Sequence, residues 1–202
     1  RVAGWYDKAY PFWGELQREP AVGFGETAVV FDSDFGRVGM ATCFDVNFPP
    51  LWQALADRGA ELILWNGAYS AGRSLQAHAI NHNYYIVSAT LKGTCLVYDI
   101  TGECIRCDRG AGIHVARITL DLDRGIFHYD YNIEQRDRLL ADHCDDVELE
   151  QDLTMESWFV LRARRPGVSV RALAKAYGLE DLRDYKRRSR RELDRLRGKP
   201  VQ

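Results

Sequence analysis

The chain has 202 residues, 46% of them hydrophobic and 28% charged, which is the balance of a globular domain and excludes a disordered chain or a low-complexity fibre. No apolar run approaches the roughly 20 residues of a membrane span, so no membrane partner is expected. The net charge of −2 hides an asymmetry: from Arg162 to Gln202 there are 14 Lys and Arg against 5 Asp and Glu, while the rest of the chain is acidic. A basic end of this kind serves either as a nucleic-acid or membrane contact or as a solvated helix that pairs with an acidic body. Five cysteines at irregular spacing do not form a disulfide framework, and they point to a reducing, cytoplasmic setting. Arg1-Val2-Ala3-Gly4-Trp5 is neither an initiator Met nor a signal peptide, so the sequence reads as starting within a longer protein.

In chain order, Thr27–Asp32 and Gly36–Thr42 read as strands joined by a hairpin at Asp34 to Gly36. Pro49-Pro50 opens a helix that runs through Leu51 and Leu55 to a stop at Gly59. A buried strand Glu61–Trp65, a helix around Leu75–Asn83 and a strand Tyr84–Thr90 follow. This alternation implies crossovers, with helices packed on a sheet. Cys95–Asp99, Glu103–Cys107 and Gly112–Leu120 read as a meander of three antiparallel strands, and Glu134–His143, Leu153–Arg164, Val170–Tyr177 and Leu179–Arg197 as helices. Pro166-Gly167 marks the expected boundary between a domain over 1–165 and a basic helical tail over 166–202.

The chemistry concentrates at Gly36-Arg37-Val38-Gly39-Met40-Ala41-Thr42-Cys43-Phe44-Asp45. A cysteine where a strand gives way to a helix-bound turn presents its sulfur at the sheet edge. The N–H of the next residue, Phe44, then points into the same space as an oxyanion donor. A lone cysteine at a strand end is more often simply packed; its surroundings decide.

The pattern G-R-x-G-x-x-x-C-x-D, followed by a proline-led helix and Gly59-Ala60-Glu61-Leu62-Ile63-Leu64, resembles the nucleophile region of the nitrilase superfamily of carbon–nitrogen hydrolases. Trp5-Tyr6-Asp7-Lys8 with Glu15 resembles that family's lysine segment, and Leu96-Val97-Tyr98-Asp99 with Gly102-Glu103 its strand and turn. Gly112–Asp121 resembles its closing strand, so that the likeness spans most of residues 5–130. The resemblance implies an α/β fold, the nitrilase-like four-layer α-β-β-α sandwich, here N-terminally incomplete and with a helical C-terminal extension. It also implies a homodimer or larger homo-oligomer and a Glu–Lys–Cys triad acting on a small-molecule amide or N-carbamoyl substrate, with no metal and no organic cofactor. Carried over by residue, Cys43 matches the nucleophile, Lys8 the oxyanion lysine and Glu15 the second glutamate. The Phe44 N–H matches the oxyanion donor, and Asn66, Ala68 and Tyr69 fall where the family lines its substrate pocket. The family's base precedes the lysine on an earlier strand; none of the seven residues before Lys8 is Glu, and Asp7 points away from Lys8 on an extended segment. The expectation is therefore a fragment or truncated product, ahead of a chain completed by a partner, that is inactive alone, with a non-catalytic binding or assembly role as the alternative.

Other groups read as structural. Cys104-Ile105-Arg106-Cys107 lacks a second ligand pair for zinc, His78 and His82 lack the intervening Glu of a zinc-protease helix, and Gly110-Ala111-Gly112 lacks the Lys of a phosphate loop. Val170–Leu179 has the look of the first helix and turn of a helix-turn-helix, with Arg183 and Lys186–Arg191 on a basic second helix. The apolar seam Leu182, Tyr185, Leu193, Leu196 favours docking or oligomerisation and makes nucleic acid the disfavoured partner.

Overall fold

A computed structural model describes residues 2, 4–20, 22–110 and 115–199. The chain forms two compact units, the first ending at Leu122 and the second starting at Asp123.

The first unit holds a short helix α1 (Trp13–Leu16), the strands β1 (Val30–Ser33) and β2 (Gly36–Thr42), a 3-10 turn (Cys43–Asn47), α2 (Pro49–Asp57), β3 (Leu62–Gly67), α3 (Gly72–His82), β4 (Tyr85–Thr90), β5 (Cys95–Tyr98) and β6 (Cys104–Asp108). The strands make one six-stranded sheet in the order β1-β2-β3-β4-β5-β6. β2, β3 and β4 are parallel, linked through α2 and α3, and the outer pairings are antiparallel. This is the α/β architecture expected, with α2 and α3 packed on one face of the sheet.

Alternation along the strands sorts the side chains by face. Ala41, Ile63, Trp65, Ile86, Leu96 and Tyr98 pack with Leu51, Trp52 and Leu55 of α2 and Leu75 and Ala79 of α3. The opposite face is apolar too, with Val38, Leu62, Tyr85 and Val97 buried, as in sheets whose two faces are both covered. On that side the Tyr85 hydroxyl donates to the Asp121 carbonyl at 2.9 Å. Gly39 is dictated by packing. A Cβ there would lie 2.7 Å from Ile63 Cδ1 and 3.0 Å from Leu55 Cδ2, so the glycine is what lets α2 approach the sheet. The expected strand Gly112–Leu120 is not found over 115–120, and its first three residues lie outside the described ones.

The second unit runs β7 (Gly125–His128), α4 (Ile133–Asp142), β8 (Val147–Leu153), β9 (Trp158–Ala163), α5 (Val170–Ala176) and α6 (Leu182–Leu196), with a sheet in the order β7-β9-β8. Two sequence readings are corrected here. Leu153–Arg164 is no helix: β8 turns at Thr154–Ser157 into antiparallel β9, with Ser157 at φ +58°. Trp158, Phe159 and Val160 are strand formers, and that preference decides the segment. The basic tail is also not separate beyond Pro166-Gly167. Val170, Ala174 and Leu179 share a core with Phe127, Leu139, Phe159 and Leu161, so the unit extends back to Asp123.

Candidate active site

Parallel β2 ends beside β3, with Thr42 in register with Asn66. The next residue, Cys43, has φ +50°. A left-handed backbone is uncommon at a non-glycine residue, and such strain collects at functional sites. It produces the sharp elbow expected from the sequence and leaves Cys43 half-buried rather than packed away. Phe44 is the second residue of the 3-10 turn, where an N–H has no acceptor within its own helix and is available to a ligand.

Asp45 organises this elbow. It is fully buried, and its carboxylate accepts the Thr42 N–H at 2.7 Å, the Tyr10 N–H at 2.8 Å and the Tyr6 hydroxyl at 2.8 Å. Its backbone carbonyl accepts the Trp52 indole N–H at 2.9 Å, and the Cys43 carbonyl accepts that of Trp65 at 3.3 Å. The first bond closes the turn, the next two fasten the segment around Lys8 to it, and the indoles fix its depth against α2 and β3. Burial, and next the Asp45 bond, hold the Tyr6 phenol well above the ordinary tyrosine range, so it remains a donor.

Lys8 sits between these two tyrosines. Its ammonium lies 2.5 Å from Glu15 Oε2, which also accepts the Phe12 N–H at 2.7 Å. The lysine bond is the main reason the Glu15 carboxyl is held below its usual value. Charge-assisted pairing of this kind fixes the ammonium in place. Gly25 donates its N–H to the Lys8 carbonyl at 2.9 Å; a Cβ there would sit 2.2 Å from the Asp7 carbonyl oxygen, so only glycine allows the close approach. The Phe12 and Phe44 rings meet edge to face at 5.7 Å, and Tyr10 stacks on Phe48 at 3.9 Å. The lysine segment is thus tied to the cysteine turn by hydrogen bonds and by aromatic packing.

The proposed pocket residues follow β3. The exposed Asn66 accepts the Thr42 hydroxyl at 3.1 Å. Ala68 is exposed, its carbonyl bonded to the Lys92 N–H, and Tyr69 lies edge-on to Trp65 at 5.9 Å. The structure therefore joins Lys8, Glu15, Cys43, Phe44 and Asn66 through shared partners, and places Ala68 and Tyr69 on the adjoining loop. Sequence reasoning did not single out Asp45 or Tyr6 as the junction, although the C-x-D spacing and the tyrosine two residues before Lys8 both belonged to the patterns that drew attention. Elsewhere, His78 stacks on Trp52 at 4.1 Å and lies 2.9 Å from the Val46 carbonyl; burial lowers its pKa, and the role is packing.

Residues 3–124 match the model of the carbon–nitrogen hydrolase family. Among curated proteins, the human deaminated glutathione amidase is 33% identical over 104 residues, which is 43% of this chain and 32% of that protein. The deaminated glutathione amidase of Yersinia enterocolitica is 33% identical over 102 residues, 44% of this chain and 36% of that protein. The chloroplastic omega-amidase of Arabidopsis thaliana is 41% identical over 46 residues, 23% of this chain and 12% of that protein. Among solved structures, a mutant amidase from Nesterenkonia sp. AN1 is similar at 23% identity and a TM-score of 0.45, over 50% of this chain and 46% of that one. The chain spans about a third of the length of the deaminated glutathione amidases it matches. With the family model covering well over half of its residues, the chain belongs to the carbon–nitrogen hydrolase family.

Proposed function

We propose that the protein containing this chain hydrolyses a non-peptide carbon–nitrogen bond, that of an aliphatic amide or N-carbamoyl compound, through a thioester on Cys43. The observation that carries the reading is the Asp45 junction, which brings a lysine paired to a glutamate to the turn that bears a strained cysteine. The relatives support amides over nitriles, since those compared are named amidases.

The Cys43 thiolate attacks the carbonyl carbon, and the electron pair of the C=O bond moves onto oxygen. The Lys8 ammonium and the Phe44 N–H stabilise that oxyanion, while Glu15 holds Lys8 in position. Preorganised donors of this kind contribute about 3 kcal/mol each. The oxyanion collapses, the C–N bond breaks, and the nitrogen leaves as ammonia or amine after accepting a proton. Water then adds to the thioester, releasing the acid and restoring the thiol. A free thiol, with a pKa of about 8.5, needs a base for the first step. Asp45 does not serve, because its oxygens are engaged by the three donors described. Asn66, Ala68 and Tyr69 shape the substrate side of the site.

The test is amine release from short aliphatic amides and N-carbamoyl amino acids by the natively expressed protein and by its Cys43→Ala variant. Release that disappears in the variant supports the reading; equal release by both overturns it.

A further inference from the structure

The second unit carries a cationic helix that the hydrolase chemistry does not use. From Arg183 to Lys199 there are nine Lys and Arg against three Asp and Glu. The sequence offered two reasons not to read this as a nucleic-acid contact, and the structure uses part of each within the unit, while Leu193 and Leu196 at the far end of the seam stay exposed. The first was the apolar seam of α6. Its leading half is used inside the unit: Leu182 is buried, and Tyr185 stacks on His128 at 3.9 Å and donates its hydroxyl to Asp130 at 2.8 Å. Lys186 lies over the Trp158 ring at 4.8 Å and belongs to the same packed side. The second was pairing with an acidic body. The acids Asp146, Glu148 and Glu150 pair with Arg165, Arg162, Arg164 and Arg124. The pairs made by Arg187, Arg188 and Arg195 go to Asp184, Glu180 and Glu192, acids of the same segment as α6.

The connection to α5 is fixed. Ser169 caps α5 by accepting the Ala172 N–H, Gly178 at φ +77° makes the turn, and Asp181 caps α6 by accepting the Arg183 N–H. Asn132 clamps the turn from both sides, accepting the Glu180 N–H at 3.0 Å and donating to the Glu180 carbonyl at 2.9 Å. With Ala174 and Leu179 in the core, this is a short helix, a glycine turn and a longer helix held as one body, the order of a helix-turn-helix.

At about 100° per residue, Arg183, Arg187, Arg190 and Arg191 fall in one sector of α6, away from the seam. They recur over about 12 Å of helix at 1.5 Å per residue, a rigid cationic row suited to a phosphate backbone. We propose that this flank of α6 binds duplex DNA, chiefly through its phosphates. Trp158 and Tyr185 are occupied within the unit, and a row of four arginines along one helix is suited to the regularly spaced phosphates of a duplex. DNA is favoured over duplex RNA because the B-form major groove admits a helix and the A-form groove does not.

The experiment is fluorescence anisotropy of a labelled 20-base-pair duplex with the full chain, at salt from 50 to 200 mM. Three variants are compared: wild type, the quadruple change of Arg183, Arg187, Arg190 and Arg191 to Gln, and the same four to Lys. Four phosphate contacts predict an affinity loss of about 100-fold across that salt range. The Gln variant should lose at least 10-fold at 50 mM and show a shallower salt slope, with unchanged circular dichroism, while the Lys variant retains most of the binding. The proposal is overturned if the duplex is not bound at 50 mM, if the Gln variant binds as well as wild type, or if phosphatidylserine vesicles, but not the duplex, are retained through these arginines.

Discussion

The Tyr6 hydroxyl donates to the Asp45 carboxylate at 2.8 Å, and this bond joins two segments 39 residues apart, one carrying Lys8 and the other Cys43. Tyr6→Phe removes the donor and leaves Asp45 with two others. The expected cost is about 1 kcal/mol in urea denaturation, the usual net value of a hydrogen bond to a partly buried group. Asp45→Ala strips the acceptor from all three donors at once and should cost about 2–4 kcal/mol. If Asp45→Ala costs no more than Tyr6→Phe, the junction is not what fixes the turn.

Lys8 and Glu15 should fail differently. On the proposed mechanism, Lys8→Ala removes a charged oxyanion partner and should lower kcat by about 100- to 1000-fold. Glu15→Gln keeps a polar group of the same shape and should cost less, through a misplaced ammonium. Steady-state kinetics on both variants distinguishes these roles; equal losses would place Glu15 in the chemistry itself.

The same pair sets a pH dependence. The Glu15 carboxyl is held below its ordinary value of 4.5, first by the Lys8 bond. The folded state therefore binds this proton less readily than the unfolded one, and the pair's contribution is complete above about pH 4.5. It is lost as pH falls through the lower folded value. The stability difference between wild type and Glu15→Gln, measured by denaturation from pH 7 to pH 3, should accordingly shrink on the acid side. Because the Glu15 side chain is 36% exposed, solvent screens the effect. A difference that grows toward acid would contradict the pairing.

Backbone strain at Cys43 gives a prediction that is independent of catalysis. With φ at +50°, glycine is more comfortable there than alanine, so Cys43→Gly should be about 1 kcal/mol more stable than Cys43→Ala. Thermal denaturation compares the two; a less stable glycine variant would mean that the elbow is not strained.

Packing gives another. Gly39→Ala drives a methyl into Ile63, Leu55 and Ala60 and should destabilise the first unit by about 1–3 kcal/mol. Near-wild-type stability on urea denaturation would show that α2 moves aside freely.

The sequence was most informative where a local rule and a tertiary demand agree. Gly36–Thr42 alternates as a strand and ends at a turn-forming Cys43, Pro49-Pro50 starts a helix, and the glycines sit where a neighbour comes close, so β2 to β4 and the elbow were readable directly. Leu153–Arg164 misled because the turn of its hairpin, Thr154–Ser157, contains neither glycine nor proline. The short β7, Gly125–His128, has too few residues to show a period. Asp45 was visible as part of a pattern but not as a junction, since its donors, Tyr6 and Tyr10, are 39 and 35 residues away and one of them is a backbone N–H that has no side-chain signature.

The most direct test of the central claim is to trap the acyl-enzyme. The natively expressed protein is mixed with a short aliphatic amide, quenched in acid within milliseconds to seconds, digested, and mapped by mass spectrometry. The account predicts the acyl mass on the peptide that contains Cys43, its removal by hydroxylamine, and its absence from Cys43→Ala together with amine release. An adduct on Cys95, Cys104, Cys107 or Cys144 instead, or amine release that persists in Cys43→Ala, would contradict it.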